Sequence, residues 1–61
     1  MIQVGNDDIG REVLYMPQHA GAKPEAGIIT SFNDAYVFVR YGNSSTSQAT
    51  RREDLRYAHG G

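Results

Sequence analysis

The chain contains no cysteine, no apolar run of membrane-spanning length and no surplus of basic charge. Each absence excludes something. Without cysteine there is neither a disulfide frame nor a thiolate zinc site, and a reducing compartment is the weakly favoured setting. A transmembrane helix needs about 20 apolar residues in a row, and nothing in the chain approaches that. Met1-Ile2-Gln3-Val4 has no basic region and no apolar core, so it does not read as a signal peptide. We therefore expect a soluble, cytoplasmic chain. The formal net charge of −1 argues against generic polyanion binding, which shows as a basic excess.

The charges are unevenly placed. Residues 1–27 carry Asp7, Asp8, Glu12 and Glu25 against Arg11 and Lys23. The remainder carries Arg40, Arg51, Arg52 and Arg56 against Asp34, Glu53 and Asp54, so every arginine except Arg11 lies in the second half. The 61 residues make one domain. A chain this short buries only about 60% of the surface its unfolded form exposes, and its stability is marginal. Small domains usually lean on disulfides, a metal or self-association. With cysteine absent, a homo-oligomer is expected.

The strongest positive signal runs from Gly27 to Gly42. Two stretches rich in β-branched and aromatic residues flank Asn33-Asp34, and a glycine closes each outer end. That composition predicts a tight antiparallel hairpin. Period-two alternation puts Val37, Val39 and Tyr41 on one face of its second strand, and Tyr36, Phe38 and Arg40 on the other. The valines face the core.

Around the hairpin the signals are shorter. Ile2 and Val4 suggest an arm or edge strand before a turn at Gly5 to Asp8. Arg11 to Met16 reads as a strand that Pro17 stops by removing a ladder donor. Residues 18–26 read as the longest loop, punctuated by Gly21 and Pro24. Gly42 to Ser47 is a second, polar loop, and Gln48-Ala49-Thr50 a short fourth strand. Thr50-Arg51-Arg52-Glu53 has capping-box spacing, so one 3-10 turn should precede a last strand holding Leu55 and Tyr57. The predicted core is Val13, Ile28, Val37, Val39 and Leu55. This order of elements predicts an all-β fold, a small SH3-like barrel of four to five short antiparallel strands. It divides into an arm at 1–9, the barrel at 10–58 and a frayed tail at 59–61. The rival is an open three- or four-stranded sheet completed only in a dimer.

Catalytic constellations are thin. His19 and His59 have no third ligand at metal spacing and read as exposed. Asp7-Asp8 suits a turn, and Glu53-Asp54 suits the cap; neither pair needs a cleft of the kind two glycosidase carboxyls require. Ser44, Ser45 and Ser47 have no nearby base, and no glycine-rich loop enters a helix. No enzyme, cofactor or metal site is expected. The candidates for binding are Tyr36, Phe38, Arg40, Arg51, Arg52 and Arg56, with Tyr15 and Tyr57 able to join them from neighbouring strands. Tyrosine and arginine are enriched at protein interface hot spots. Aromatics beside arginines also suit single-stranded nucleic acid, and the plainer reading of the same residues is packing. Arg51-Arg52 reads by default as a solvated pair.

The string from Gly27 to Tyr41, followed by Ala49-Thr50-Arg51-Arg52-Glu53-Asp54-Leu55, resembles small uncharacterised proteins encoded by tailed phages and prophages. The likeness covers roughly residues 10–58 and implies no activity. A remoter likeness is to the plasmid-borne type II dihydrofolate reductases, whose SH3-like protomers tetramerise around a central pore. Their active strand reads Val-Gln-Ile-Tyr and is supported by a lysine on the first strand. Here Ser47-Gln48-Ala49-Thr50 keeps only Gln48, and Leu14 or Tyr15 stands where a lysine is wanted. That resemblance implies the fold and the assembly but not the activity.

Taken together, the residues point to a non-catalytic interaction module of phage or prophage origin. It is expected to bind a protein partner or itself, with single-stranded nucleic acid as the alternative and a reductase-like oligomer as the second.

Overall fold

A computed structural model describes residues 1–59 of the chain. A first 3-10 turn, Asn6–Asp8, leads into β1 (Glu12–Tyr15), β2 (Glu25–Phe32), β3 (Val37–Tyr41) and β4 (Gln48–Thr50). A second 3-10 turn, Arg52–Asp54, then feeds β5 (Leu55–Tyr57). The five strands form one open antiparallel sheet in the order β4-β3-β2-β1-β5. This is the all-β, SH3-like arrangement expected from the order of the sequence signals, and a single chain supplies every strand. No helix among the described residues is long and apolar enough to cross a membrane.

The hairpin forms where expected, but its connection is longer than an Asn-Asp pair. Asn33 Oδ1 accepts hydrogen bonds from the backbone N–H of Ala35 at 2.8 Å and of Tyr36 at 2.7 Å. Asn33 N–H donates to Tyr36 O at 2.9 Å, so the turn spans residues 33–36. A side chain that mimics a backbone turn closes the loop without a positive φ at any non-glycine residue. Tyr36 therefore belongs to the turn, not to β3.

The register of β2 corrects the core. Ile29 pairs with Val39, Ser31 with Phe38 and Phe32 with Val37, so four residues on β2 lie against three on β3. The extra residue is Thr30, a β-bulge that keeps both Ile29 and Phe32 on the inner face. Thr30 Oγ1 donates to Phe38 O at 3.1 Å and shares a 2.6 Å hydrogen bond with Ser47 Oγ, which steadies the irregularity. Ile28 lies between Glu12 and Arg40 on the outer face and is half-buried. The buried core is thus Val13, Ile29, Val37, Val39 and Leu55, with Ile29 in the place expected for Ile28.

Strand β2 also starts earlier than its apolar run, because Glu25 and Ala26 pair with Tyr15 and Leu14. That takes two residues from the expected 18–26 loop and puts Gly27 inside the strand. A Cβ at Gly27 would lie 2.5 Å from Val39 Cγ1, 2.8 Å from Tyr41 Cδ1 and 3.0 Å from Arg40 O. Only glycine lets β3 press this closely onto β2.

The sheet is tied down by contacts outside the ladders. Met16 N–H donates to Asp54 O at 2.7 Å, which joins the end of β1 to the second 3-10 turn. At the other end Ile2 and Val4 pack against the core, and Tyr57 Oη donates to Gln3 O at 2.6 Å. Of the expected frayed tail, Gly60 and Gly61 lie outside the described residues. His59 Nε2 sits 2.9 Å from Glu12 Oε1.

Ile29→Ala is expected to lose about 2–5 kcal/mol, the range for a large-to-small change in a packed core. Ile28→Ala should lose clearly less, because its side chain lies on the half-exposed face. Gly27→Ala should cost about 1–3 kcal/mol through overpacking. Urea denaturation of the three variants checks the ranking.

Candidate partner-binding groove

The structure separates the residues singled out in the sequence. Tyr36 is exposed in the hairpin turn. Phe38 and Arg40 share the outer face of β3, opposite Ser31 and Ile28, with Phe38 half-buried and Arg40 exposed. Arg56 is exposed on the outer face of β5, opposite Leu14. Arg52 is drawn into the fold: its Nη2 donates to Asn33 O at 2.6 Å and its Nη1 to Asp34 O at 3.4 Å, tying the second 3-10 turn to the hairpin tip. Arg51 remains exposed, with Nε 3.6 Å from Asp54 Oδ2 and 4.0 Å from Glu53 Oε1. Only Arg52 departs from the solvated pair expected of these two arginines.

Tyr15 and Tyr57 do not join Phe38. Tyr15 faces Leu55 in register and Tyr57 faces Val13, so both are on the inner side of the sheet. Tyr57 carries the Arg11 guanidinium 3.7 Å above its ring centre. Tyr15 meets Tyr41 edge to face, with ring centres 6.2 Å apart and planes at 70°.

This tyrosine pair floors a groove of about 290 Å³ between the end of β1 and strand β4. Glu25 stands beside Tyr15 on β2, and Gln48, Ala49 and Thr50 form the β4 wall. Arg51 and Asp54 complete the rim from the second 3-10 turn. Gly27, directly opposite Tyr41, removes the side chain that would otherwise displace its ring. The groove is thus a consequence of the same close approach that packs Val39.

The expected capping box is absent at the second 3-10 turn. The turn starts after Arg51, and no side chain caps it. Thr50 is still in β4 and buried; its Oγ1 shares a 2.9 Å hydrogen bond with the Tyr41 hydroxyl and donates to Gln48 O at 3.3 Å. Glu53 turns out to the solvent. The buried member of the turn is Asp54, whose Oδ1 accepts from Gln18 Nε2 at 2.7 Å. A reciprocal contact of the capping type occurs at the first turn instead: Gly5 N–H donates to Asp8 Oδ2 at 2.8 Å, and Asp8 N–H donates to Gly5 O at 2.9 Å.

Three groups titrate away from their ordinary values. Burial pushes the Tyr41 phenol up; its bond to Thr50 opposes this, while the Glu25 carboxylate, Tyr15 and the Asp54 carboxylate add to the rise. Burial likewise raises Tyr57, with the Asp8 carboxylate reinforcing it. Asp8 is held low by the Gly5 N–H and then by Arg11, whose Nη1 lies 2.9 Å from Oδ1. Among the described residues no three His, Asp or Glu side chains converge in a way that could hold a metal ion.

Glu25 and Tyr41 were not among the residues the sequence singled out for binding, and Tyr15 was expected beside Phe38 on the outer face, not on the inner one where it lies. The available signal was Tyr15 two positions from Val13, which places both on one face of a strand. No protein-family model, curated protein or solved structure matches the chain.

A phenol whose pKa is raised by folding is protonated more readily in the native state than in the unfolded one. Stability is therefore complete below the ordinary value of 10.0 and falls as pH rises through the folded values of Tyr41 and Tyr57. Tyr41→Phe should flatten part of that alkaline loss, leaving the share of Tyr57. Thermal melts across the alkaline range, with phenolate absorbance followed in parallel, check the slope.

Proposed function

We propose that the protein is a non-catalytic interaction module, phage or prophage encoded, which binds a protein partner through the groove beside β4. The observation that carries this reading is the meeting of a free strand edge with an aromatic groove. In the five-stranded order β4 has a neighbour on one side only, and its exposed residues Gln48 and Ala49 are also the groove wall. An unpaired strand edge offers backbone donors and acceptors to any extended segment. A segment added there gains affinity from the ladder and specificity from the side chains it turns into the groove. The groove lies at the small end of ligand pockets, which run from about 300 to 1,000 Å³, and suits one or two side chains better than a whole metabolite.

The aromatic and arginine surface read from the sequence thus divides in two. The groove takes Tyr15, Tyr41 and Arg51; the outer face keeps Phe38, Arg40 and Arg56. Single-stranded nucleic acid is the second reading, favoured by Phe38 beside Arg40 on that outer face. Against it, Arg52 holds the hairpin tip and Arg51 is shared by two carboxylates, so two of the four arginines are already engaged. Against the reductase reading, Thr50 stands at the tyrosine position of the active strand with its hydroxyl bonded to Tyr41. Tyr15 stands near the place of the lysine.

Selection from a displayed library of random peptides tests the reading. Recovered peptides should bind in solution, protect the β4 amides from hydrogen exchange and shift the Tyr15 and Tyr41 ring resonances. Peptides that bind without touching β4 or the tyrosines would contradict it. A single-stranded oligonucleotide that binds with a steep loss on added salt would move the assignment to nucleic acid. Sedimentation showing copies joined through β4 would make the chain its own partner.

A further inference from the structure

We infer that the Tyr15–Tyr41 groove receives the cationic side chain of an arginine or lysine carried on an extended partner segment paired to β4. This rests on the protein-binding reading above and names what the bound segment must contain.

Three features of the groove agree on a cation. Its floor is a pair of tyrosine rings set nearly perpendicular, 6.2 Å apart. Ring faces carry partial negative charge, and guanidinium or ammonium groups are drawn to them. Its charged lining holds two carboxylates, Glu25 and Asp54, against one guanidinium, Arg51. Asp54 is already balanced by Gln18 and Arg51. Glu25 is not. It is exposed, stands next to Tyr15 in register, and makes no ion pair among the described residues. Burial is the main cause of the raised Tyr41 pKa, and the Glu25 and Asp54 carboxylates add to it.

Other side chains fit worse. An acidic or phosphorylated residue would face Glu25 with only Arg51 to offset it, and Arg51 is divided between Asp54 and Glu53. An aliphatic residue would strip water from Glu25 and supply no partner, which is unfavourable for a carboxylate. A long basic side chain covers the rings with its methylenes and brings its charge to Glu25. The volume of about 290 Å³ accommodates one such side chain.

The test uses blocked heptapeptides of alternating threonine and valine, with arginine, lysine, glutamine or glutamate at the central position. Each is titrated into the full chain and followed by NMR. The arginine and lysine peptides should bind about five- to tenfold tighter than the glutamine peptide, the factor expected of one partly shielded charge pair over an aromatic face. The glutamate peptide should be the weakest. Glu25→Gln should remove the preference for the basic peptides while leaving the glutamine peptide unchanged. Asp7→Asn, which alters net charge equally but lies off the groove and its ion pairs, should preserve it. Circular dichroism confirms that both variants fold. If all four peptides bind β4 equally, the cation inference fails and the protein-binding reading survives. If Glu25→Gln and Asp7→Asn weaken binding alike, the effect is overall charge and the inference fails. If none of the four binds while displayed peptides do bind at β4, the inference fails alone. If nothing binds β4 in either experiment, both fail.

Discussion

Strand β3 lies on β2 at a distance that tolerates no side chain at position 27. Val39 Cγ1 and Tyr41 Cδ1 occupy the space that a Cβ would fill, and the carbonyl of Arg40 closes the third side. Much of the inner architecture follows from that contact. It brings Val39 over Val13 and Ile29 in a core of only five buried apolar residues. It also lays Tyr41 toward Tyr15, which opens the groove at the end of the sheet where β4 has no second neighbour. Packing and candidate function therefore share one backbone constraint.

A domain of this size has little apolar surface to bury, and polar contacts complete what the core begins. The second 3-10 turn is the main example. Its backbone accepts from Met16, its Asp54 carboxylate holds Gln18, and its Arg52 reaches the carbonyls of the hairpin tip. One short turn thus connects β1, the first long loop and the β2–β3 connection. The N-terminal arm plays the matching part at the other end, through Ile2, Val4 and the bond from Tyr57 to Gln3. Buried polar side-chain atoms without a partner do not occur among the described residues.

Much of this was legible from alternation and order. The hairpin, the inward valines of β3, the short β4 and the single turn before Leu55 all follow from period-two patterning and turn chemistry. The errors have local causes. Ile28 and Ile29 are chemically alike, and only the Thr30 bulge, which is set by pairing between strands, decides which faces inward. Thr50 has the spacing of a cap, but pairing with Val37 holds it in the strand and Tyr41 takes its hydroxyl. Tyr15 was placed with the outer aromatics because the face of β1 depends on its register with β2 and β5. The groove was hidden for the same reason: its residues are dispersed over four strands and a turn, and no linear motif joins them.

The contact between Gly27 and the Tyr41 ring sets both core and groove. Proton NMR of the unmodified chain tests it without mutation. A tyrosine ring lying over a glycine shifts its α-protons strongly upfield and gives cross-relaxation between them and the ring protons. Both signals are expected for Gly27 with Tyr41. Gly27 α-protons at ordinary strand positions, with no cross-relaxation to Tyr41, would contradict it.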